Sequence, residues 1–380
     1  MLMGHRIIGV LQAKAQRDNE LNDVLTSCIQ KANWQPPTWD HPVRNLDDFC
    51  CYLKELLVST PVDAYFDDMF HGLYYIVSQN GNILQTAPEY RNFQEWLALF
   101  AESYGSYLNM PASANDLYDT IRDKAFAVRQ YFQIPPGGFN NFNSFFSRHL
   151  KPGKRPIGTK THPYKTPSAD HPLEPNPEED DAQVHQNMCD DRVITVPADS
   201  VYKGTWKIDG QSEVRVSKGN KYLIKDLLKG SRYADRFHGG IFTHSYLTVF
   251  TYHRYHVPVR GRVLESNVVM DQVYANVLKD KSGHLGATDE TGYQFSQDRG
   301  WIILDSPVGL VAMVPIGMDF ISSCNISVDV GDYVNKGDEF GYFLFGGSDM
   351  IMLFENPDIE IQLPKTDMLY KLGQVFAVKK

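Results

Sequence analysis

The sequence predicts an α+β protein in which a helical amino-terminal domain precedes a β-rich sandwich or barrel domain. In residues 1–135, apolar side chains recur at the spacing of one helix face, most clearly over 46–57 and 93–100. From Val193 onward, β-branched and aromatic residues occur instead in short runs bounded by glycine, as in strands joined by tight turns. Many short strands of this kind favour a sandwich or a barrel.

Four helices are expected in the amino-terminal part. Asn45 is a candidate N-cap for the first, since a side-chain oxygen at this position satisfies an exposed backbone amide. Thr60-Pro61 predicts the start of the second, with proline at the first helical position. The third follows the apolar stripe over 93–100, and the fourth, which is less regular, covers 117–132. An amphipathic helix buries its apolar face, so these stripes indicate a core rather than a binding surface.

The domain boundary is expected at Pro135-Pro-Gly-Gly138, where the helical pattern ends. We therefore predict a helical domain at 1–138 and a second domain at 139–380. Residues 158–190 are rich in proline and carry an acidic run, which predicts a flexible insertion in the second domain. Strands are expected at 193–197, 201–206, 240–252, 258–264, 301–305, 309–316 and 340–345.

Composition restricts the class of partner. The chain has 380 residues, 42% of them hydrophobic, which suffices for a buried core. Its formal net charge of −9 disfavours nucleic acid as a partner, because phosphate binding needs a basic surface. The five cysteines are scattered, without Cys-x-x-Cys or paired Cys/His spacing, so neither a disulfide framework nor a metal site is predicted.

The sequence also gives an expectation about location. The apolar run near the amino terminus is too short for a signal peptide, and no stretch of 18 apolar residues occurs. With the unpaired cysteines, this predicts a soluble protein in a reducing cytoplasm. Peripheral contact of an amphipathic helix with a membrane stays open.

Two short stretches contain the candidate functional residues. Phe343–Glu355 joins two apolar runs through Gly346-Gly-Ser348, which predicts a strand, a tight turn and a second strand. Glycine and serine are ordinary turn residues, so this tripeptide alone indicates no more than a hairpin. Tyr252–Val259 places His253 and His256 among aromatic and basic residues. Residues three apart point to opposite faces of a regular strand, so the chain must turn here for both imidazoles to serve one site.

Three segments resemble the phosphatidylserine decarboxylase family. Phe142–Ile157 resembles the segment that opens the family's catalytic domain, and Tyr252–Val259 resembles its Tyr-His-Arg-x-His-x-Pro motif. Gly346-Gly-Ser348, followed by Phe354-Glu355, resembles its self-cleavage site. The helical amino-terminal part is similar to the branch of the family that decarboxylates L-tryptophan. The resemblance implies a zymogen that is cleaved between Gly347 and Ser348, and a homodimer of cleaved protomers.

The implied cleavage suits these residue types. Gly347 has no Cβ, so its carbonyl is open to attack and its backbone tolerates strain. The Ser348 hydroxyl is a nucleophile once a base removes its proton. The resemblance assigns that base to His256, the orientation of the base to Asp199, and substrate binding or proton donation to His253. It also implies that Ser348 becomes a covalent pyruvoyl group, the electron sink for decarboxylation, so no separate cofactor is required.

Three residues depart from the family pattern. Thr251 stands where the family often has aspartate, and Ser200 follows Asp199 where glycine is usual. Asp349 follows the cleavage serine, where a small or hydroxyl residue is commoner. An added carboxylate either slows cleavage by disfavouring the developing oxyanion or lies clear of it.

A basic strip lies in the segment that opens the catalytic domain, formed by Arg148, Lys151, Lys154 and Arg155. The strip could bind a substrate carboxylate or contact an anionic lipid surface. The alternative is that its charged side chains are only solvated.

The resemblance implies a pyruvoyl-dependent carboxy-lyase that acts on an amine-bearing carboxylate. We favour an amino acid, aromatic and tryptophan-like, because of the helical domain, Thr251 and the lack of a membrane segment. Phosphatidylserine, converted to phosphatidylethanolamine in phospholipid biosynthesis, is the direct alternative. A processing-dead binding protein without enzymatic activity is the alternative from another class.

Overall fold

The computed structural model describes most of the chain, with short gaps. The described residues are 2–62, 66–115, 117–123, 125–168, 171–215, 221–271, 273–281, 283–287, 293–318, 323–345 and 347–380. Gly346, the first glycine of the predicted cleavage tripeptide, lies outside them.

Helices dominate the first part of the described chain. They are α1 Leu2–Arg17, α2 Asn19–Ala32, α3 Leu46–Leu56, α4 Phe66–Val77, α5 Ile83–Thr86, α6 Arg91–Leu108, α7 Leu117–Arg122, α8 Val128–Tyr131, α9 Phe142–Phe146, α10 Asp181–Cys189 and α11 Ile224–Leu227. Short 3₁₀ turns cover Pro88–Tyr90, Pro111–Ala114, Ala234–Phe237 and Tyr293–Phe295.

Strands dominate the remainder. They are β1 Val193–Thr195, β2 Ser200–Lys207, β3 Glu213–Val214, β4 Tyr222–Leu223, β5 Ile241–Leu247, β6 Arg254–His256, β7 Gly261–Val269, β8 Val277–Lys279, β9 Leu285–Ala287, β10 Arg299–Ser306, β11 Gly309–Met318, β12 Cys324–Ile326, β13 Tyr333–Val334, β14 Glu339–Phe343, β15 Gly347–Phe354, β16 Ile359–Ile361, β17 Met368–Tyr370 and β18 Val375–Lys379. The α+β class predicted from the sequence is confirmed.

The largest sheet among the described residues is antiparallel and has the strand order β13-β7-β10-β11-β15-β5-β2-β17. A three-stranded sheet, β12-β14-β6, lies beside it, and β1-β18-β16 form another. Residues alternate between the two faces of β15, so Met350 and Met352 enter one apolar core while Ile351 and Leu353 enter another. The first core is continuous with the buried faces of α1–α6, which therefore pack on the same side of the sheet region.

Several predicted helix features are confirmed. Asn45 caps α3 by accepting a hydrogen bond from the Asp48 amide at 2.9 Å. The stripe over 93–100 lies on α6, whose Phe93, Trp96, Leu97 and Phe100 are buried. The predicted start at Thr60-Pro61 is wrong, because Pro61 lies in a turn and the described part of α4 begins at Phe66. A proline at a turn and a proline at the first helical position have the same dihedral preference, so sequence alone does not separate them.

The predicted hairpin over Phe343–Glu355 is also wrong. Strand β14 ends at Phe343 and belongs to the small sheet, whereas β15 begins at Gly347 and lies in the middle of the large one. The two strands do not pair with each other; β14 pairs with β6 and β12, and β15 pairs with β11 and β5. Ser348 therefore lies within a central strand and not at the tip of a turn.

The helical part and the β-rich part share polar contacts. The Gln85 Nε2 atom donates to the carbonyl of Ala275 at 3.0 Å, and Asn82 Nδ2 donates to Asn276 Oδ1 at 3.0 Å. Gln85 is 1% exposed, and its amide would lose its hydrogen bonds to Ala275 if the two parts separated. These contacts fix the position of the helices relative to the strands that carry the candidate site.

Candidate active site

Ser348 occupies a fully buried position in β15. In the antiparallel ladders it lies opposite Leu247 of β5 and Gly317 of β11. Its side chain is 0% exposed, and its Oγ has no hydrogen-bond partner in the part of the chain that the structure describes. A buried hydroxyl without a partner is unfavourable and rare in native proteins, so it often marks a functional group.

The segment that leads into Gly347 is held by aromatic packing. The ring of Phe345 contacts Phe66, Phe142 and Phe146 with centroid distances of 5.7, 5.2 and 5.3 Å. The Phe345 amide donates to Asn143 Oδ1 at 3.1 Å. Both α4 of the helical part and α9, from the segment that opens the predicted catalytic domain, thus position the chain just before the predicted cleavage bond.

His253 lies against the same aromatic cluster. Its ring stacks on Phe146 with a centroid distance of 3.7 Å, and its carbonyl accepts from the Phe343 amide at 2.9 Å. The residue is 1% exposed, and neither ring nitrogen has a partner with hydrogen-bond geometry among the described residues. Burial, then the nearby positive charge of Arg148, lower the pKa of His253 well below its usual value; a weak interaction with the Thr251 backbone opposes them.

This lowered pKa gives a prediction for stability. When pH falls below about 6.5, the unfolded chain takes up a proton on this imidazole that the folded chain does not bind, so stability falls. We expect His253→Gln, placed in an uncleaved Ser348→Ala background, to lose stability less steeply between pH 7 and pH 5.5. The difference in slope should approach about 1 kcal/mol per pH unit. Urea unfolding at several pH values measures it, and equal slopes for the two proteins would contradict the lowered pKa.

Among the described residues, the His256 imidazole makes two hydrogen bonds, neither of them to Ser348. Its Nδ1 lies 2.8 Å from the Gly337 carbonyl and its Nε2 lies 3.0 Å from the Tyr252 hydroxyl. Because a carbonyl only accepts, Nδ1 carries the proton and Nε2 is the basic nitrogen, which accepts from Tyr252. Burial is the main cause that lowers the pKa of His256, which favours the neutral base.

Asp199 is not joined to His256 by a hydrogen bond. Its carboxylate accepts from Arg155 Nε at 2.9 Å, from Arg155 Nη2 at 2.5 Å and from the Leu372 amide at 2.8 Å. Burial opposes the ionisation of Asp199, but attraction to Arg155 and these hydrogen bonds exceed that effect and lower its pKa. The structure thus brings Asp199 to Arg155, and the predicted role of Asp199 towards His256 stays a prediction. Ser200 begins β2, and its Oγ donates to the Ala198 carbonyl at 3.1 Å.

The basic strip is divided: Arg148 and Arg155 are buried, Lys151 is half-buried and Lys154 is exposed. The two buried arginines neither face water nor present their charges at the surface. The Arg148 guanidinium donates to the carbonyls of Phe250 and Thr251 at 3.0 Å each, and stacks over Phe132 at 4.2 Å. Arg155 is buried with Asp199. Local sequence shows only the charge run, whereas burial of these two side chains depends on residues far along the chain.

Sequence reasoning missed a second buried pair beside Ser348. Asp349 is 0% exposed, and its carboxylate lies 2.8 Å from His244 Nε2 on β5. Because neighbouring residues of a strand point to opposite faces, Asp349 shares the face of Ile351, away from that of Ser348. The added carboxylate thus lies clear of the serine side chain. The sequence did contain a signal for this pair, because Asp349 lies within an otherwise apolar strand, and a buried carboxylate needs a buried partner.

Two further observations concern the described residues. They contain no group of three or more histidine, cysteine or acidic side chains arranged to hold a metal ion. No helix among them combines the length and the apolar character needed to cross a bilayer.

These features define an α+β protein with a buried serine in a central strand and a buried histidine, His253, in the aromatic cluster that holds the preceding segment. The family profile described as phosphatidylserine decarboxylase matches residues 142–377. The chain belongs to the phosphatidylserine decarboxylase family, as its sequence motifs indicate.

Individual relatives fall into more than one substrate group. The chain is 30% identical over 271 residues to phosphatidylserine decarboxylase proenzyme 2 of Oryza sativa subsp. japonica, covering 70% of this chain and 38% of that one. It is 28% identical over 255 residues to decarboxylase iboD of Amanita muscaria, covering 62% and 63%. It is 22% identical over 344 residues to L-tryptophan decarboxylase of Psilocybe cyanescens, covering 86% and 69%. The chain thus spans well under half of the rice relative.

Proposed function

We propose that the chain is a self-cleaving, pyruvoyl-dependent decarboxylase that converts an amino acid, aromatic and tryptophan-like, to its amine and carbon dioxide. The observation that carries the proposal is the buried Ser348 Oγ without a partner, directly after Gly347, in a member of this family. Because the Ser348 hydroxyl has no hydrogen-bond partner among the described residues, no hydrogen bond fixes its orientation. It is therefore available to react with the adjacent backbone.

Cleavage between Gly347 and Ser348 passes through an ester and then a dehydroalanine. The Ser348 oxygen attacks the Gly347 carbonyl carbon, and the peptide C–N bond breaks, so an ester replaces the amide. A base then removes the α-proton of residue 348, and the ester oxygen leaves with Gly347 as its carboxylate. The remaining dehydroalanine takes up water and releases ammonia to give a ketone at the new amino terminus. His256 Nε2 is our candidate for the base, which requires it to release Tyr252.

The residues around position 348 suit such a group. The Ser348 Oγ and the His253 ring nitrogens are buried polar atoms without partners of good geometry among the described residues, and the Phe146 and Phe345 rings exclude water beside them. A pyruvoyl ketone supplies an electron sink for the electrons that loss of carbon dioxide leaves behind. Neutral His253 can orient a substrate carboxylate or move a proton at one ring nitrogen.

An amino acid is favoured as the substrate because one sequence match to an amino acid decarboxylase covers most of this chain. The match to the Psilocybe cyanescens L-tryptophan decarboxylase covers 86% of this chain, so it reaches well into the helices that precede Phe142. The rice proenzyme, named for phosphatidylserine, matches at higher identity over 70% of the chain. Phosphatidylserine is therefore the second candidate, and its assay must accompany that of amino acids. The proposal includes the predicted division at 138/139 and a homodimer of cleaved protomers.

Intact-mass spectrometry under denaturing, reducing conditions tests the proposal first. We expect two chains, 1–347 and 348–380, the smaller one with a pyruvoyl amino terminus. Release of carbon dioxide from L-tryptophan, other amino acids and phosphatidylserine vesicles then ranks the substrates, and vesicle flotation reports membrane contact. A single chain that persists after long incubation would refute self-cleavage and leave the binding protein as the remaining alternative.

A further inference from the structure

A cleft of about 560 Å³ lies between α6 and the β-rich part, next to the candidate site. Ala98, Leu99 and Glu102 of α6 form one wall. Met270 and Val273, beyond the end of β7, form the opposite wall. Ligand pockets in proteins commonly have volumes of about 300–1,000 Å³, so a single amino acid side chain fits here with room for water.

The cleft ends beside the segment that precedes the predicted cleavage bond. Leu344 and Asn143 both line it. Asn143 accepts from the Phe345 amide at 3.1 Å, and the Leu344 amide donates to the Ser323 carbonyl at 3.4 Å. A molecule in the cleft would therefore contact the chain within a few residues of Ser348. Cleavage after Gly347 makes Leu344 part of a new carboxyl-terminal end, no longer bonded to residue 348.

The described lining of the cleft combines apolar, uncharged polar and acidic side chains. Glu95, Glu102, Asp271 and Asp298 contribute carboxylates, and no lysine or arginine is among the described lining residues. Glu95 pairs with Arg91 at 3.3 Å, and Asp271 lies 3.5 Å from both Lys229 and Arg299. Glu102 is exposed, and the structure gives it no ion pair among the described residues. An excess of carboxylates over positive charges in the lining favours a ligand that is cationic or carries an N–H donor, and it disfavours a ligand that carries a phosphate.

We propose that this cleft receives the side chain of the amino acid substrate and selects an apolar ring with an N–H donor, such as indole. The role of the cleft in catalysis rests on the proposed function, whereas the binding of a ligand to the cleft can be tested without it. The apolar walls pack against the ring, and Glu102 accepts from the N–H group at the cleft mouth. The α-carbon of the substrate then lies towards residue 348. A phospholipid headgroup would place its phosphate against the same carboxylates.

Binding to uncleaved protein tests the cleft without requiring activity. The full-length Ser348→Ala protein is titrated calorimetrically with tryptamine, L-tryptophan and glycerophosphoserine. We expect tryptamine to bind most tightly and glycerophosphoserine least. Ala98→Trp, which fills the cleft, should weaken tryptamine binding at least tenfold, and Glu102→Gln about threefold to tenfold. Asn92→Trp and Glu89→Gln are the matched controls, because both positions are exposed and lie outside the lining.

The results separate the two proposals. Failure of the wild-type chain to cleave would overturn the proposed function, whereas tryptamine binding to the Ser348→Ala protein would still support the cleft. Equal binding by the Ala98→Trp and Asn92→Trp proteins, tightest binding of glycerophosphoserine, or no binding of any probe would each overturn the cleft assignment. In cleaved protein, Ala98→Trp should also reduce kcat/KM for the preferred amino acid at least tenfold while cleavage stays complete.

Discussion

Replacing Ser348 with alanine is expected to leave a single chain of 43.3 kDa and to abolish decarboxylation. Alanine has no hydroxyl to attack the Gly347 carbonyl, so neither the chain break nor the ketone can form. Denaturing mass spectrometry and a carbon dioxide release assay measure the two effects. The folded structure should survive, because the serine Oγ has no hydrogen-bond partner among the described residues to lose.

Ser327→Ala provides the matched control. Ser327 is exposed and lies in the same half of the chain, so its loss should change neither cleavage nor activity. Two fragments from the Ser348→Ala protein would show that chain cleavage does not require the Ser348 hydroxyl. Activity in an uncleaved Ser348→Ala protein would show that the reaction does not depend on residue 348.

Replacing Asp199 with asparagine is expected to destabilise the protein by about 3–5 kcal/mol, because it leaves the buried Arg155 charge without its counter-ion. Side-chain exposures of 1% for Arg155 and 0% for Asp199 leave little water to screen that charge. Urea unfolding of uncleaved protein gives the free energy of unfolding. The double variant with Arg155→Met should recover part of the loss, since no charge is then left buried and unpaired.

Two comparisons make this prediction specific. Asp190→Asn removes a partner from the more exposed Arg192 pair at 2.8 Å and should change stability little. The lowered pKa of Asp199 means that its contribution is present above about pH 3.9 and is lost as pH falls through the folded-state pKa. The asparagine variant should lack that acid-dependent loss. A double variant no more stable than the Asp199→Asn protein would contradict the pairing.

Local patterns predicted much of the fold. The stripes on α3 and α6 and the cap at Asn45 follow from helix geometry and backbone hydrogen bonding within a few residues. Strand positions followed from residue type and glycine spacing, but strand partners did not. Gly346-Gly-Ser348 has the composition of a turn, yet β14 and β15 lie in different sheets because each finds its partners far along the chain.

Motifs in the sequence supplied the candidate site residues, but they did not predict which side chains pair with one another. His253, His256 and Ser348 were identified from motifs, and the structure places His253 in the aromatic cluster beside Phe345. The Arg155–Asp199 and His244–Asp349 pairs join residues 44 and 105 positions apart. Opposite charges attract regardless of their separation in sequence, so the partners in a buried ion pair become clear only from the folded structure. The motif resemblance paired the Asp199 carboxylate with His256, because a motif contains no information about Arg155, which competes for the same carboxylate in the folded chain.

The central position of β15 has a consequence for how the molecule ages. After the proposed cleavage, the fragment 348–380 would supply β15 from Ser348 onward, held between β11 and β5, and also β16, β17 and β18. Its departure would remove an inner strand of the large sheet, so dissociation and global unfolding become one event. Refolding then requires two separate chains to meet, and the cut bond is not remade. If the chain cleaves itself as proposed, its persistence would depend on a slow unfolding rate rather than on a reversible equilibrium.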